Sequence, residues 1–153
     1  MAVGLMIAAG RRYHEGLLKI QKYVFYSVKY RAKSNFPIIA FSSQWLSHPQ
    51  FLLGQDITDA TIGIVGLGNI GQTIAKRLQG FDIGQILYTS RKPKPEAESK
   101  FKAKHVTLDE LVEKSDYVVI SVPLANETRG LFNSELFKKM KPTSVLGIMD
   151  LKF

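Results

Sequence analysis

The run Val65-Gly66-Leu67-Gly68-Asn69-Ile70-Gly71 restricts the fold of this chain more than any other feature. Its G-x-G-x-x-G spacing follows the short apolar run Thr61-Ile62-Gly63-Ile64-Val65 and precedes Ile70, Ile74 and Leu78, which recur every four residues as on one face of a helix. A strand that turns into a helix over three glycines leaves the first helical N–H groups and the positive end of the helix dipole facing open space, where a phosphate can settle. In this pattern Gly66 permits the tight turn, Gly68 admits the main chain to a pyrophosphate without an intervening Cβ, and Gly71 lets helix and strand pack closely. The expected ligand is a dinucleotide, with Gly66, Gly68, Asn69, Ile70 and Gly71 as its expected binding residues.

The rest of the chain alternates strand and helix signals from Asp56 onward, which predicts an α/β, Rossmann-type doubly wound parallel sheet. Gln85 to Thr89 reads as a second strand and Tyr117 to Val122 as a central one, because it is too continuously apolar to be an exposed edge. Thr107-Leu108-Asp109-Glu110 matches a capping box that opens a helix to about Lys114. Asn133 or Ser134 caps a helix through Met140 that Lys141-Pro142 stops, and Ser144 to Met149 reads as a last strand. Upstream, Val3 to Ile20 reads as one helix, with Arg11, Arg12 and Glu15 on its wet side. Lys22 to Ser43 changes character, being β-prone and aromatic, and carries no motif.

The end of the second predicted strand selects between cofactors. An NAD site places a carboxylate roughly 20 residues beyond the glycines, on the ribose 2′-hydroxyl. This chain has Ser90-Arg91-Lys92-Pro93-Lys94 there. A hydroxyl, a planar guanidinium and two ammonium groups suit a 2′-phosphate, which a carboxylate would repel. NADP is therefore expected in preference to NAD, with Ser90, Arg91, Lys92, Pro93 and Lys94 as its binding segment.

Composition narrows the remaining choices. A chain of 153 residues holds one ordinary domain, and a chain without cysteine has no disulfide, thiolate metal site or thiol nucleophile. The expected setting is the reducing cytoplasm. Met1 to Gly10 is apolar but lacks the basic start and small-residue cleavage site of a secretory signal, and no apolar run approaches the ~20 residues of a membrane span. The net charge of +8 favours anionic partners. A basic nucleic-acid binder using Tyr23, Phe25, Tyr26 and Tyr30 would leave the ordered glycines unexplained. His14, His48 and His105 are the three histidines; His105 is expected to open a buried strand, and none is assigned a catalytic or metal role. Asp109, Glu110 and Asp116 are accounted for by a cap and a turn.

Phe51-Leu52-Leu53-Gly54-Gln55-Asp56-Ile57, the glycine run, Ser121-Val122-Pro123-Leu124-Ala125-Asn126-Glu127-Thr128-Arg129-Gly130-Leu131 and Met140-Lys141-Pro142 occur in this order. Together they resemble the cofactor domain of the D-2-hydroxyacid dehydrogenases, and Tyr88 to Pro95 resembles their glyoxylate/hydroxypyruvate reductase branch. The resemblance implies hydride transfer between NADPH and a 2-keto acid, with pyrophosphate at Gly68, Asn69 and Ile70, the 2′-phosphate at Arg91 to Lys94, and Val122 and Pro123 along the ribose and adenine. It implies residues 1–21 as a helix of the interdomain or dimer region, 22–43 as an atypical insert, and 44–153 as an incomplete cofactor domain. The family's substrate-binding arginine would fall at Leu151 and its glutamate and histidine beyond, so no catalytic residue is expected in this chain. The keto acid would then be a ligand only of a complete relative. Homodimerisation, pairing with a full-length subunit, or dinucleotide binding without turnover are the corresponding expectations.

Overall fold

The computed structural model describes residues 1–18 and 54–149; Lys22 to Ser43, Trp45, His48 and Leu151 lie outside the described residues. The chain divides into two compact units, residues 1–7 with 56–153, and residues 8–55.

In the larger unit five parallel strands form one sheet: β1 (Thr61–Val65), β2 (Gln85–Thr89), β3 (Ala103–His105), β4 (Tyr117–Ile120) and β5 (Val145–Ile148), in spatial order β3-β2-β1-β4-β5. Ile62 sits beside Ile86 on one side and Tyr117 on the other, so β1 lies at the centre and is buried from Ile62 to Val65. Helices α1 (Ala2–Gly10), α2 (Asn69–Leu78), α3 (Pro95–Phe101), α4 (Leu108–Lys114) and α5 (Ser134–Lys139) accompany the strands.

The period-two alternation of a strand splits the core into two layers. Ile62, Ile64, Ile86, Tyr88, Tyr117 and Val119 face one side, where Ala2 and Met6 of α1, Ile74 and Leu78 of α2, and Phe101 of α3 pack. Val65, Leu87 and Val118 face the other, against Leu111 and Val112 of α4 and Leu136 of α5. Coverage on both faces is why the central strands read as unbroken apolar runs. Asp116 fastens the N-terminal ends of the strands. Its carboxylate accepts from the Thr61 N–H at 2.9 Å and from the Lys141 ammonium at 2.7 Å, while its carbonyl accepts from the Val145 N–H at 2.9 Å.

Several expected boundaries shift for local reasons. The single helix expected over Val3 to Ile20 is broken: α1 ends at Gly10, Arg12 adopts the left-handed conformation at φ 55°, and helix resumes over residues 13–18. The helix after the glycines closes at Leu78 into a 3-10 turn, Gln79–Phe81, ended by Asp82 in the left-handed conformation. The strand expected through Val122 stops at Ile120, and Met140 stands outside α5 as its C-cap. His105 closes β3 instead of opening a strand, since α3 and its left-handed cap Lys102 place the strand start at Ala103. Asn133, not Ser134, caps α5, its side chain accepting from the Leu136 N–H at 2.9 Å. Among the described residues no helix is long and apolar enough to cross a membrane.

Candidate dinucleotide site

Three segments meet at the C-terminal ends of the adjacent strands β2, β1 and β4. In an open parallel sheet this edge, where the connections leave to opposite sides, is where ligands bind. The strand ends are joined by main-chain bonds from Gly66 N–H to Thr89 at 2.9 Å and from Ser121 N–H to Val65 at 2.8 Å.

The three glycines of the motif occupy different physical situations. Gly66 has φ +94°, a left-handed value that favours glycine, and a Cβ on it would stand 2.5 Å from Val122 Cγ1. Gly71 is enclosed, since a Cβ there would stand 2.3 Å from the Gly66 carbonyl oxygen. Gly68 is open: a Cβ there would meet nothing within 4 Å. It is also the N-cap of α2 and supplies no side-chain bond to the first turn. The motif is thus tight where the protein must close on itself and vacant where the main chain faces outward over a helix N-terminus. This arrangement fits a pyrophosphate held by the leading N–H groups of α2. Asn69 is exposed beside it, with its carbonyl accepting from Thr73 Oγ1 at 2.7 Å, and Ile70 is half-buried.

After β2, Arg91 and Lys92 are exposed, and neither forms an ion pair among the described residues. Ser90 Oγ donates to the Lys92 carbonyl at 2.7 Å, so the serine proton is engaged within the loop, while the Arg91 and Lys92 side chains face solvent. Pro93 is exposed and leads into α3, whose first residue is Pro95. Lys94 reaches back across the site, its ammonium donating to the Leu67 carbonyl at 2.6 Å. The loop is anchored from beneath by fully buried Tyr88, whose hydroxyl accepts from the Lys94 N–H at 2.8 Å and donates to Glu98 at 2.6 Å. Burial, and then the bond to Glu98, holds the Tyr88 phenol above its usual ionisation range. His105 lies beside the same ring, centroids 5.1 Å apart.

From β4, Val122 packs toward the apolar layer while the Pro123 carbonyl accepts from Thr128 Oγ1 at 2.7 Å. Ser121 Oγ donates to the Gly66 carbonyl at 2.6 Å. Ser121, Tyr88 and Glu98 are the site-building side chains that motif reading did not single out. Their roles depend on contacts across strands; the one signal available is a tyrosine within a strand of a parallel sheet, whose hydroxyl needs a partner once buried.

The family model for the D-isomer-specific 2-hydroxyacid dehydrogenase NAD-binding domain matches residues 3–147. The chain is 52% identical over 99 residues to a glyoxylate reductase of Thermococcus onnurineus, covering 65% of this chain and 29% of that protein. It is 45% identical over 102 residues to the human glyoxylate reductase/hydroxypyruvate reductase, covering 66% and 31%. Among solved structures, the Chlamydomonas reinhardtii pyruvate reductase superposes with a TM-score of 0.69 at 28% identity, over 96% of this chain and 36% of that one. The apo D-lactate dehydrogenase of Escherichia coli shares the fold with a TM-score of 0.72 at 23% identity, over 97% and 40%.

Proposed function

Because the chain belongs to the D-isomer-specific 2-hydroxyacid dehydrogenases and carries their NAD-binding domain, we propose that it binds NADP(H) in preference to NAD(H). We further propose that it serves the reduction of a small 2-keto acid, of the glyoxylate or hydroxypyruvate class, in the way its relatives are named for. The observation that carries the cofactor choice is the pair of exposed cations, Arg91 and Lys92, standing without an ion-pair partner among the described residues at the end of β2. A carboxylate at that place would serve the 2′-hydroxyl of NAD; cations serve a 2′-phosphate.

In this reading Gly68, Asn69, Ile70 and Gly71 hold the pyrophosphate, and Gly66 makes the turn that presents them. Ser90, Arg91, Lys92, Pro93 and Lys94 form the 2′-phosphate segment, and Val122 and Pro123 border the ribose and adenine. The nicotinamide, when bound, supplies the hydride. The chain's own residues orient the dinucleotide and neutralise its phosphates, and Ser121 keeps the Gly66 turn in place.

Calorimetric titration with NADPH and NADH tests the proposal. A charge-assisted phosphate contact contributes ~1.5–3 kcal/mol, so roughly ten- to a hundredfold tighter NADPH binding is expected. Arg91→Ala should remove most of that difference. NADH binding as tight as NADPH binding in the unaltered chain would refute it.

A further inference from the structure

Lys94 is tied at both of its ends, and the ties join the two phosphate-facing loops. Its main-chain N–H donates to Tyr88 Oη at 2.8 Å, and that hydroxyl in turn donates a hydrogen bond to Glu98 of α3 at 2.6 Å. Its ammonium donates to the Leu67 carbonyl, inside the glycine run, at 2.6 Å. A continuous line of hydrogen bonds therefore runs from α3 through a fully buried phenol and a half-buried lysine to the loop that leaves β1. An ammonium carries three donors, and Leu67 takes one of them. Lys94 can hold the glycine loop and a phosphate oxygen together. Arg91 and Lys92 are exposed by contrast, and they must give up rotamer freedom when they meet an anion.

We propose that Tyr88 is a positioning residue for cofactor discrimination, holding Lys94 where its ammonium serves the glycine loop and the phosphate of a ribose-phosphorylated dinucleotide at once. The inference rests on the NADP(H) reading above. Tyr88 touches no ligand; it acts by fixing the main chain of Lys94, so that the cation is delivered already ordered. A phenol that only filled the core would support NADPH and NADH binding equally, since the two differ in the 2′-phosphate alone.

The experiment is titration of the full chain and of Tyr88→Phe, Lys94→Met and Arg91→Ala with NADPH and NADH, with thermal unfolding of each variant. Lys94→Met should weaken NADPH about tenfold. Tyr88→Phe should weaken NADPH roughly three- to tenfold and leave NADH within about twofold. Glu98→Ala, which removes the phenol's acceptor from outside the core, should shift the NADPH-to-NADH ratio in the same direction, and Glu98→Gln, which keeps a carbonyl acceptor, should restore it. These two variants decide the matter if Tyr88→Phe does not fold. A wild-type chain without NADPH preference overturns the cofactor reading and this inference with it. An NADPH preference that is lost in Arg91→Ala but keeps its ratio in Tyr88→Phe, or in Glu98→Ala, overturns this inference alone, as does an equal loss for both cofactors.

Discussion

Asp116 and Lys141 are paired at 2.7 Å, with the second oxygen of the same carboxylate on the Thr61 N–H at 2.9 Å. Burial by itself would raise the Asp116 pKa, but the Lys141 ammonium and the Thr61 amide outweigh it, and the carboxyl ionises below its usual range. A depressed folded-state pKa contributes stability that is present above the unfolded value of about 3.9 and is lost as pH falls through the folded value. Asp116→Asn is expected to lower stability by ~1–3 kcal/mol at neutral pH, since a charged acceptor of two donors is replaced by a neutral one. The difference from wild type should shrink below about pH 4. Urea unfolding at a series of pH values measures both, and a variant as stable as wild type at pH 7 would contradict the assignment.

The glycines of the motif separate folding from binding. Gly68→Ala introduces a methyl into space where nothing lies within 4 Å, at a φ of −77° that alanine tolerates. Its stability should stay within ~0.5 kcal/mol of wild type. Dinucleotide affinity should fall at least about tenfold, because in the proposed binding mode the methyl would stand between main chain and pyrophosphate. Gly71→Ala, whose Cβ would stand 2.3 Å from the Gly66 carbonyl oxygen, should instead cost ~1–3 kcal/mol of stability. Thermal melts with and without NADPH distinguish the two; equal stability losses would show that Gly68 is a structural position like Gly71.

Assayed as the 153-residue chain, the protein is expected to bind NADPH without oxidising it in the presence of glyoxylate or hydroxypyruvate. Reduction of a keto acid needs a carboxylate clamp and a proton donor beside the cofactor, and the donor alone accounts for ~10²–10⁴-fold in rate. At the ends of β1 and β4 the Ser121 proton is engaged by the Gly66 carbonyl. His105 stands at the end of β3, two strands from β1 and beside the Tyr88 ring. Absorbance of NADPH with purified chain is the measurement, and steady oxidation dependent on the keto acid would contradict the expectation.

The parts of the fold legible in the sequence are those specified locally. β1 and α2 follow from an apolar run, three glycines and a four-residue period, and the Thr107 and Asn133 caps from side chains that bond three residues ahead. α3 was hidden because Arg91 to Lys104 reads as a basic stretch with Glu96 and Glu98 diluting it. Those glutamates lie in the first turn of a helix, Pro95 is at its start and Lys100 in its last turn, which is the charge order a helix dipole favours. The break follows Gly10, the one local signal for it, but the left-handed residue itself is Arg12, a position with no glycine or proline to mark it. Tyr88, Glu98 and Ser121 were out of reach for a different reason. Each acts on a partner ten or more residues away, and periodicity carries no information about such pairs.

The central position of β1 also dictates the order in which the chain can be completed. Beside its ladder with β4, two side-chain bonds fasten its ends, Thr61 to Asp116 and Gly66 to Ser121, and each spans 55 residues. Contacts of such separation pay loop-closure entropy before they return anything. Both strands that pair with β1 follow it in sequence, β2 at Gln85–Thr89 and β4 only at Tyr117–Ile120, so one hydrogen-bonding edge of β1 has no partner until that later segment is in place.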